Sequence, residues 1–572
     1  MKPFDHRKFL GYVCEVTPNY VRVQIPTSVL LGAFYLEGNL FKGGAVGSFV
    51  TIEGQDYGFL GRIYEVGLPQ SEKNEITESK LSSENTIFHP VCKIELLGLF
   101  NVYTPERIAK TSSRFPTVGA KVFSCSNEQM TAYISKYGVK DTDEDIPIVR
   151  IGRLTSNNSV CQISLNSVFG RHCAVLGTTG GGKSWTVAKL IESISKGTSN
   201  KCIIIDATGE FSTITENIVS INIGTGETKF DYTRLSIDEL YFLLKPSSKV
   251  QVPKLMDAIR SLKMARIDND EALKEYYQVG QQGKLRKIII KANKSKQTYN
   301  RFYYKNTSLI EDNHCDFDFT LLPFQITNEC VWDTSRNDSN LWGDKADSDI
   351  GNCVSLVSRV NNIMSTAEYN NIFDFKGTNK DSKDIISIIQ EFLKSEKSIL
   401  RIDFSNVSFD YQVREILVNA IGQYLLNEAR SGQYKKTPLV VFIDEAHQFL
   451  NKSISDEYFT AKPLNAFEKI SKEARKYGLF LCISTQMPRD IPLGTLSQMG
   501  TFIVHRLINE QDKKAVEAAA STANKNSLAF LPSLGEGEAL VLGVDFPMPL
   551  TLKIDMPTST PNSQTPKLKS RK

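Results

Sequence analysis

The residues most able to do chemistry stand between Arg171 and Ser184, in the stretch RHCAVLGTTGGGKS. An apolar run, Cys173 to Leu176, leads into Gly177, Thr178, Thr179, Gly180, Gly181, Gly182, Lys183 and Ser184. That order fits G-x-x-x-x-G-K-[ST], the phosphate-binding loop. Glycines let consecutive backbone N–H groups turn inward as a concave anion nest. Lys183 can bring a point charge to the β- and γ-phosphates of a nucleotide, and the Ser184 hydroxyl can ligate Mg2+. Trp185 to Ile191 has helical apolar spacing, so the phosphates would sit at a helix N-terminus.

A second constellation comes 261 positions after Lys183, where the buried-looking run Pro438–Ile443 ends in Asp444 and Glu445. Asp444 is expected to hold Mg2+, directly or through water, and Glu445 to polarise an attacking water. This pairing separates ATP hydrolysis from kinase-like transfer, in which a second substrate supplies the nucleophile. Leu479 to Gln486 reads as another buried strand, and Gln486 is placed to sense the γ-phosphate. Just before it lies Lys472–Gly478, with Arg475 inside. Its planar guanidinium could reach a neighbouring subunit's nucleotide as a finger, or it could simply close a surface helix. Cys202–Asp206 is a further strand ending in a polar turn, and Asp206 has two readings: it lies near Mg2+, or it caps that turn.

These residues need a scaffold, and the 572-residue chain is long enough for two or three domains. Residues 1 to about 125 read as short strands bounded by turn signals, with Val21, Val23 and Ile25 alternating with Arg22 and Gln24 before Pro26. Similar runs at Gly47–Ile52, Gly58–Val66 and Val91–Phe100 suggest a small sandwich or barrel, with Leu68–Glu84 a solvated loop. Ile146–Gly152 and Cys161–Leu165 read as strands that bridge to the phosphate loop. Residues 236–395 read as mainly helical, opened by the capping box Ser236-Ile237-Asp238-Glu239. Within them, Lys284–Lys305 carries eight Lys or Arg, no acid and several aromatics. A nucleic-acid-facing element and a solvated amphipathic helix both explain that composition. Ile399–Asp403 and Gln412–Ala429 return to an α/β pattern, and strands at Thr501–His505, Glu538–Leu542 and Thr551–Ile554 close the core.

Composition sets limits. Hydrophobic residues at 41% and charged residues at 23% are ordinary for a globular protein, and a net charge of +4 implies no nucleic acid by itself. No apolar run reaches the ~20 residues of a membrane span. The N-terminus lacks the apolar core of a secretory signal. Ten scattered cysteines without a C-x-x-C pair suit a reducing cytoplasm and give no zinc site. His314-Cys315 alone makes no ligand set.

Taken together, the N-terminal barrel, RHCAVLGTTGGGKS, IIIDATGEF, the long insertion, VVFIDEAHQFL, ARKYGLFLCISTQ and GEGEALVLG resemble the HerA family of ATPases, in the HerA/FtsK group of hexameric DNA pumps. The resemblance runs nearly end to end. It implies an α/β fold: a RecA-like P-loop ATPase core with a helical insertion, preceded by an N-terminal β-barrel. The expected divisions are a HAS-barrel-like domain and connection at 1–165, the core at 166–235 and 396–555, the insertion at 236–395, and a disordered basic tail at 556–572.

By the same resemblance, Gly177–Ser184 and Trp185 hold ATP, and Ser184 and Asp444 hold Mg2+. Lys183, Glu445 and Gln486 match catalytic positions, and Arg475 matches a trans finger. Arg171 matches an arginine that the family uses around the nucleotide. Two residues depart from the pattern: Trp185 is bulky where a smaller or polar residue is usual, and Ala474 replaces a glycine before the finger.

The implied assembly is a homohexamer around double-stranded DNA. Its barrel would dock a partner, either a nuclease of the NurA type or from antiviral defence, or a sirtuin-like effector. The implied activity is ATP-driven DNA translocation in end processing or defence. A nucleotide-dependent scaffold for an effector, and a peripheral ATPase powering secretion, are the competing readings.

Overall fold

The computed structural model describes residues 2–36, 39–73, 88–110, 114–139, 146–247, 249–279, 285–450, 464–520 and 525–563. Three expectations fall partly outside those residues: the solvated loop beyond residue 73, Lys284, and the basic tail from residue 564.

In chain order, a first group of strands comprises β1 (Phe9–Val16), β2 (Val21–Gln24), β3 (Phe49–Ile52), β4 (Tyr57–Gly67), β5 (Val91–Asn101), β6 (Thr104–Lys110) and β7 (Lys121–Ser124). Next come β8 (Ile148–Leu154), β9 (Val160–Ser164), β10 (Cys173–Leu176) and α1 (Lys183–Gly197). They are succeeded by β11 (Lys201–Asp206), β12 (Ile218–Asn222), α2 (Ile237–Leu244) and α3 (Gln251–Ile267). A hairpin of β13 (Tyr277–Val279) and β14 (Leu285–Ile289) precedes α4 (Lys296–Lys305), α5 (Leu322–Glu329), α6 (Asp347–Ser365) and α7 (Ile385–Lys394). The remainder is β15 (Ile399–Asp403), α8 (Val413–Arg430), β16 (Leu439–Ile443), α9 (Ala466–Glu473), β17 (Leu479–Thr485), β18 (Thr501–Val504), α10 (Glu510–Ala519), β19 (Glu538–Gly543) and β20 (Leu550–Ile554).

The chain divides into two compact units. One comprises residues 1–200, 480–489 and 493–572, and the other 201–479 and 490–492. In the first, the N-terminal strands run in the order β2-β1-β7-β3-β4-β5-β6, and β2 also pairs with β5. That extra pairing closes six strands into a barrel and leaves β6 appended, so the closed part has no free edge. Alternation explains the closure: Val21 and Val23 of β2 are buried with Leu10, Val13, Ile52, Ile63 and Ile94 in one core, while Arg22 and Gln24 lie between them.

The same unit holds a mixed sheet ordered β9-β8-β20-β19-β18-β10-β17. Here β10 runs parallel to both β17 and β18, with Ala174 opposite Ile483 and Phe502. All four residues of β10 are buried, as a strand covered on both faces requires. Thr558, within the stretch expected as a disordered tail, is held on α1, where its N–H donates to the Glu192 carboxylate at 3.1 Å. Composition misses such a contact because one capped carboxylate is enough to seat a short segment.

The second unit carries a parallel sheet, β16-β11-β15-β12. The capping box forms as the sequence requires: Ser236 Oγ accepts from the Glu239 N–H at 3.2 Å, and the Glu239 carboxylate accepts from the Ser236 N–H at 2.8 Å. The stretch up to Lys305 is not one solvated helix. It is β14, a turn and α4, and Lys291 is buried against Glu329 at 2.5 Å. Lys291 also stands over the rings of Tyr299 and Trp342, so part of this basic stretch is core. Among the described residues, no helix is long and apolar enough to cross a membrane, and no cluster of three or more His, Cys, Asp or Glu could hold a metal.

Candidate functional site

The phosphate-loop sequence leaves the carboxyl end of β10 and enters α1. Gly177, Gly180 and Gly182 have φ of 154°, 73° and 108°, conformations that L side chains rarely adopt. Space excludes side chains as well. A Cβ on Gly177 would meet His505 at 2.5 Å, and one on Gly182 would meet the Gly537 backbone at 2.9 Å. A Cβ on Gly180 would instead meet nothing within 4 Å.

The loop is pinned from several directions. The Thr178 N–H donates to the Arg506 carbonyl at 3.0 Å, the Gly181 N–H to the Thr178 carbonyl at 3.1 Å, and the Gly537 N–H to the Gly181 carbonyl at 3.1 Å. Lys183 is buried at the first position of α1, Ser184 and Trp185 are half-buried in the same turn, and that turn contains no acidic residue. The helix dipole and the Lys183 ammonium therefore present positive potential to the loop. Thr179 donates to the Gln486 side chain at the end of β17, which joins two of the expected site residues.

His505, which comes directly after β18, lies under the loop and is the main site residue that sequence reasoning missed. Its Nδ1 faces the Glu538 carbonyl at 2.9 Å, and its Nε2 faces Thr186 Oγ1 at 2.8 Å. A carbonyl only accepts, so Nδ1 carries the proton and Nε2 accepts from the threonine hydroxyl. Burial, reinforced by the Lys183 charge, pushes the imidazole down to about 4. A histidine closing a buried strand is the one signal the sequence offers, and core packing produces the same signal.

Arg171 is placed away from the loop. It precedes β10, whereas the loop comes after that strand, and four strand residues span roughly 13 Å. Its Nε donates to Asp545 at 2.9 Å.

In the second unit, β16 is buried throughout and ends in Asp444, whose N–H donates to the Ile205 carbonyl at 3.0 Å. Asp444 is 2% exposed. Glu445 takes the left-handed conformation, φ 44° and ψ 49°, and its carboxylate lies 3.2 Å from His447 Nδ1. A non-glycine residue in that region carries strain of about 1–3 kcal/mol.

Asp206 answers its two readings. It is fully buried, and its carboxylate accepts the N–H groups of Gly209, Glu210 and Phe211 at 2.9, 3.1 and 3.1 Å and Arg401 Nε at 2.7 Å. Those four donors use its acceptor capacity, so Asp206 is the cap of its turn. Arg475 is exposed in the short turn after α9. Gly478 ends that turn at φ 83°, where a Cβ would meet the Tyr434 carbonyl at 2.2 Å.

The glycine cradle, the buried Lys183 and the Ser184 hydroxyl fit the phosphates of a nucleotide with Mg2+, and the Asp444 carboxylate is of the oxygen type that Mg2+ takes. A family model described as Helicase HerA, central domain, matches residues 149–340, and one described as Helicase HerA-like C-terminal matches residues 424–563. A probable helicase of Methanocaldococcus jannaschii is 23% identical over 561 residues, covering 96% of this chain and 88% of that protein. The DNA double-strand break repair helicase HerA of Saccharolobus solfataricus is 24% identical over 521 residues, covering 89% and 88%. Among solved structures, VirB4 of Thermoanaerobacter pseudethanolicus aligns with a TM-score of 0.37 at 15% identity, over 72% of this chain and 97% of that one.

Proposed function

The chain belongs to the HerA helicase family, and from that premise we propose that it is an ATP-driven hexameric translocase of double-stranded DNA. It would act with a partner nuclease or effector in DNA end processing or antiviral defence. The observation that carries the reading is the glycine cradle before α1, with Lys183 buried at its mouth and no acid in the helix's first turn.

In this reading the backbone N–H groups of Gly180–Ser184 bind the phosphates, and Lys183 neutralises charge that builds on the γ-phosphoryl oxygens. Ser184 and Asp444 hold Mg2+, which supplies Lewis-acid polarisation of the phosphates when bound. Glu445 orients the attacking water and takes its proton. Gln486, tied to Thr179, senses whether a γ-phosphate is present. Trp185 packs beside the nucleotide in the first turn of α1. Arg475, exposed on a turn fixed by Gly478, is the trans finger toward a neighbouring subunit's nucleotide. Arg171, which precedes β10 and donates to Asp545, keeps the role around the nucleotide that the family resemblance gives it.

The HerA name of the Saccharolobus relative includes double-strand break repair, which favours end processing as the setting. The modest net charge of +4 favours the second reading, a nucleotide-dependent scaffold with little translocation.

Steady-state ATP hydrolysis, with and without linear duplex DNA at two salt concentrations, separates the two. A motor gives DNA stimulation that falls steeply with salt, because phosphate contacts release counterions. Turnover indifferent to DNA supports the scaffold. No turnover under any condition removes the motor reading for the protein alone.

A further inference from the structure

The loop's neighbour Gly537 ends a segment whose other end is anchored in the barrel. Arg62 of β4 and Glu95 of β5 are each 3% exposed and pair at 3.1 Å (Nη2 to Oε2). A buried ion pair of this kind needs further hydrogen bonds to offset its desolvation. Ser527 supplies them, although it lies more than 400 positions away in sequence. Its hydroxyl accepts from Arg62 Nη2 at 3.0 Å and donates to Glu95 Oε1 at 3.0 Å, and Ser527 itself is fully buried. Phe530 adds its ring 4.9 Å from the Arg62 guanidinium carbon, and Leu531 is fully buried.

The segment then reaches the loop within ten residues of Ser527. The turn Gly535–Glu538 is closed by the Glu538 N–H on the Gly535 carbonyl at 3.1 Å, and by Lys553 on the Glu536 carbonyl. Gly537, at φ 70°, donates to the Gly181 carbonyl and leaves no room for a side chain on Gly182. Glu538 orients His505, which holds Thr186 of α1. An open cleft of about 200 Å³ borders the segment on the side lined by Val46, Arg62, Phe530, Leu534 and Glu538. The segment is thus held at one end by the Arg62–Glu95–Ser527 bridge, along its length by the buried Leu528, Leu531 and Leu534, and at the other end by Gly537 on the loop, so a shift at one end is carried to the other.

We propose that Arg62, Glu95 and Ser527 are positioning residues for the phosphate loop. They act through the strap Ser527–Gly537, so that the state of the barrel and the state of the loop are linked. The link rests on the reading that this loop binds nucleotide. Linkage is reciprocal: whatever shifts β4 and β5 changes the loop's affinity, and nucleotide in the loop changes β4 and β5 by the same factor. A partner seated on the barrel would control turnover in this way without touching the nucleotide.

The test uses the full chain and amide hydrogen exchange, with a fluorescent ATP analogue for affinity. Ser527→Ala removes the bridge and leaves the Arg62–Glu95 pair in place. Ile389→Ala of α7 is the control, since it opens the core of the second unit and touches neither the barrel, the strap nor the loop. With Ser527→Ala, amides of residues 177–186 should exchange about five-fold faster or more in nucleotide-free protein, and analogue affinity should fall by a similar factor. Ile389→Ala should lower the melting temperature and leave both readouts at wild-type values. In wild type, the analogue should slow exchange around Arg62 and Glu95, and Ser527→Ala should abolish that effect. Unchanged loop exchange in Ser527→Ala overturns the proposal, as does an equal change in Ile389→Ala. If wild type binds no analogue yet loop exchange still responds to Ser527→Ala alone, the nucleotide reading fails and the positioning role stands.

Discussion

Two neighbouring strands, β11 and β16, look alike in sequence: IIID at Ile203–Asp206 and VFID at Val441–Asp444. They pair in parallel with Ile205 opposite Ile443, so their aspartates reach the same edge of the sheet. On the other side of β11, Asp206 is in register with Asp403 of β15. The turn after each aspartate separates them. Beyond Asp206 the chain folds back so that three N–H groups point at its carboxylate, and Arg401 bridges Asp206 and Asp403 at 2.7 Å each. Beyond Asp444 the chain instead turns left-handed at Glu445, away from the strand direction. An acid at a strand end becomes structural when the adjoining turn supplies donors, as three N–H groups do for Asp206, whereas the turn after Asp444 puts a second carboxylate residue, Glu445, in the left-handed region.

The strongest way to break this comparison is Glu445→Gln. If Glu445 handles the attacking water, turnover should fall by about 10²- to 10⁴-fold, with fluorescent-analogue binding kept. Retained turnover in a well-folded variant would remove Glu445 from the chemistry. The matching change on the structural side is Arg401→Met, which leaves Asp206 and Asp403 buried without their cation. It should destabilise the fold by about 3 kcal/mol, read as a melting temperature several degrees lower. Turnover per folded molecule should stay near wild type. A fall in turnover without a change in melting would mean that Asp206 belongs to the active machinery after all.

The contrast also marks what the sequence could carry. Buried parallel strands, the glycine cradle and the capping box at Ser236 were legible because each depends on local spacing. The Asp206 cap was legible only as one of two options, since its decisive donor, Arg401, is 195 positions away. Local composition misled at Lys291, where a basic residue in a basic run is buried by Glu329, Tyr299 and Trp342. His505 and the Ser527 bridge were invisible for the same reason. A histidine or a serine in an ordinary stretch acquires its role only when distant backbone arrives beside it.

His505 extends the comparison to the loop. Its imidazole sits at about 4 in the fold, below the 6.5 of an exposed histidine. A depressed histidine contributes stability that is fully present above the unfolded value. As pH falls from 6.5 toward 4, the unfolded chain takes up the proton first and that stability is lost, to a limit of roughly 3 kcal/mol. His505→Gln, which cannot titrate, should flatten this part of the stability-against-pH curve. A wild-type slope that persists in the variant would assign the proton to another group.

The smallest effect tests the backbone half of the contrast. Glu445 lies at φ 44°, where glycine is favoured over alanine by about 1 kcal/mol, whereas Asp206 ends an extended strand, where glycine is the weaker of the two by a similar amount. Glu445→Gly should therefore be more stable than Glu445→Ala, and Asp206→Gly less stable than Asp206→Ala, by melting measured under one condition. Each pair removes the same carboxylate, so the lost ion pairs and caps cancel and only backbone preference remains. Opposite signs at the two positions would show that Glu445 is held against its own conformational preference, a strain that a purely structural acid has no reason to keep. The same sign at both would mean that the left-handed turn after Asp444 carries no such strain, and Glu445 would lose the feature that sets it apart from the capped end of β11.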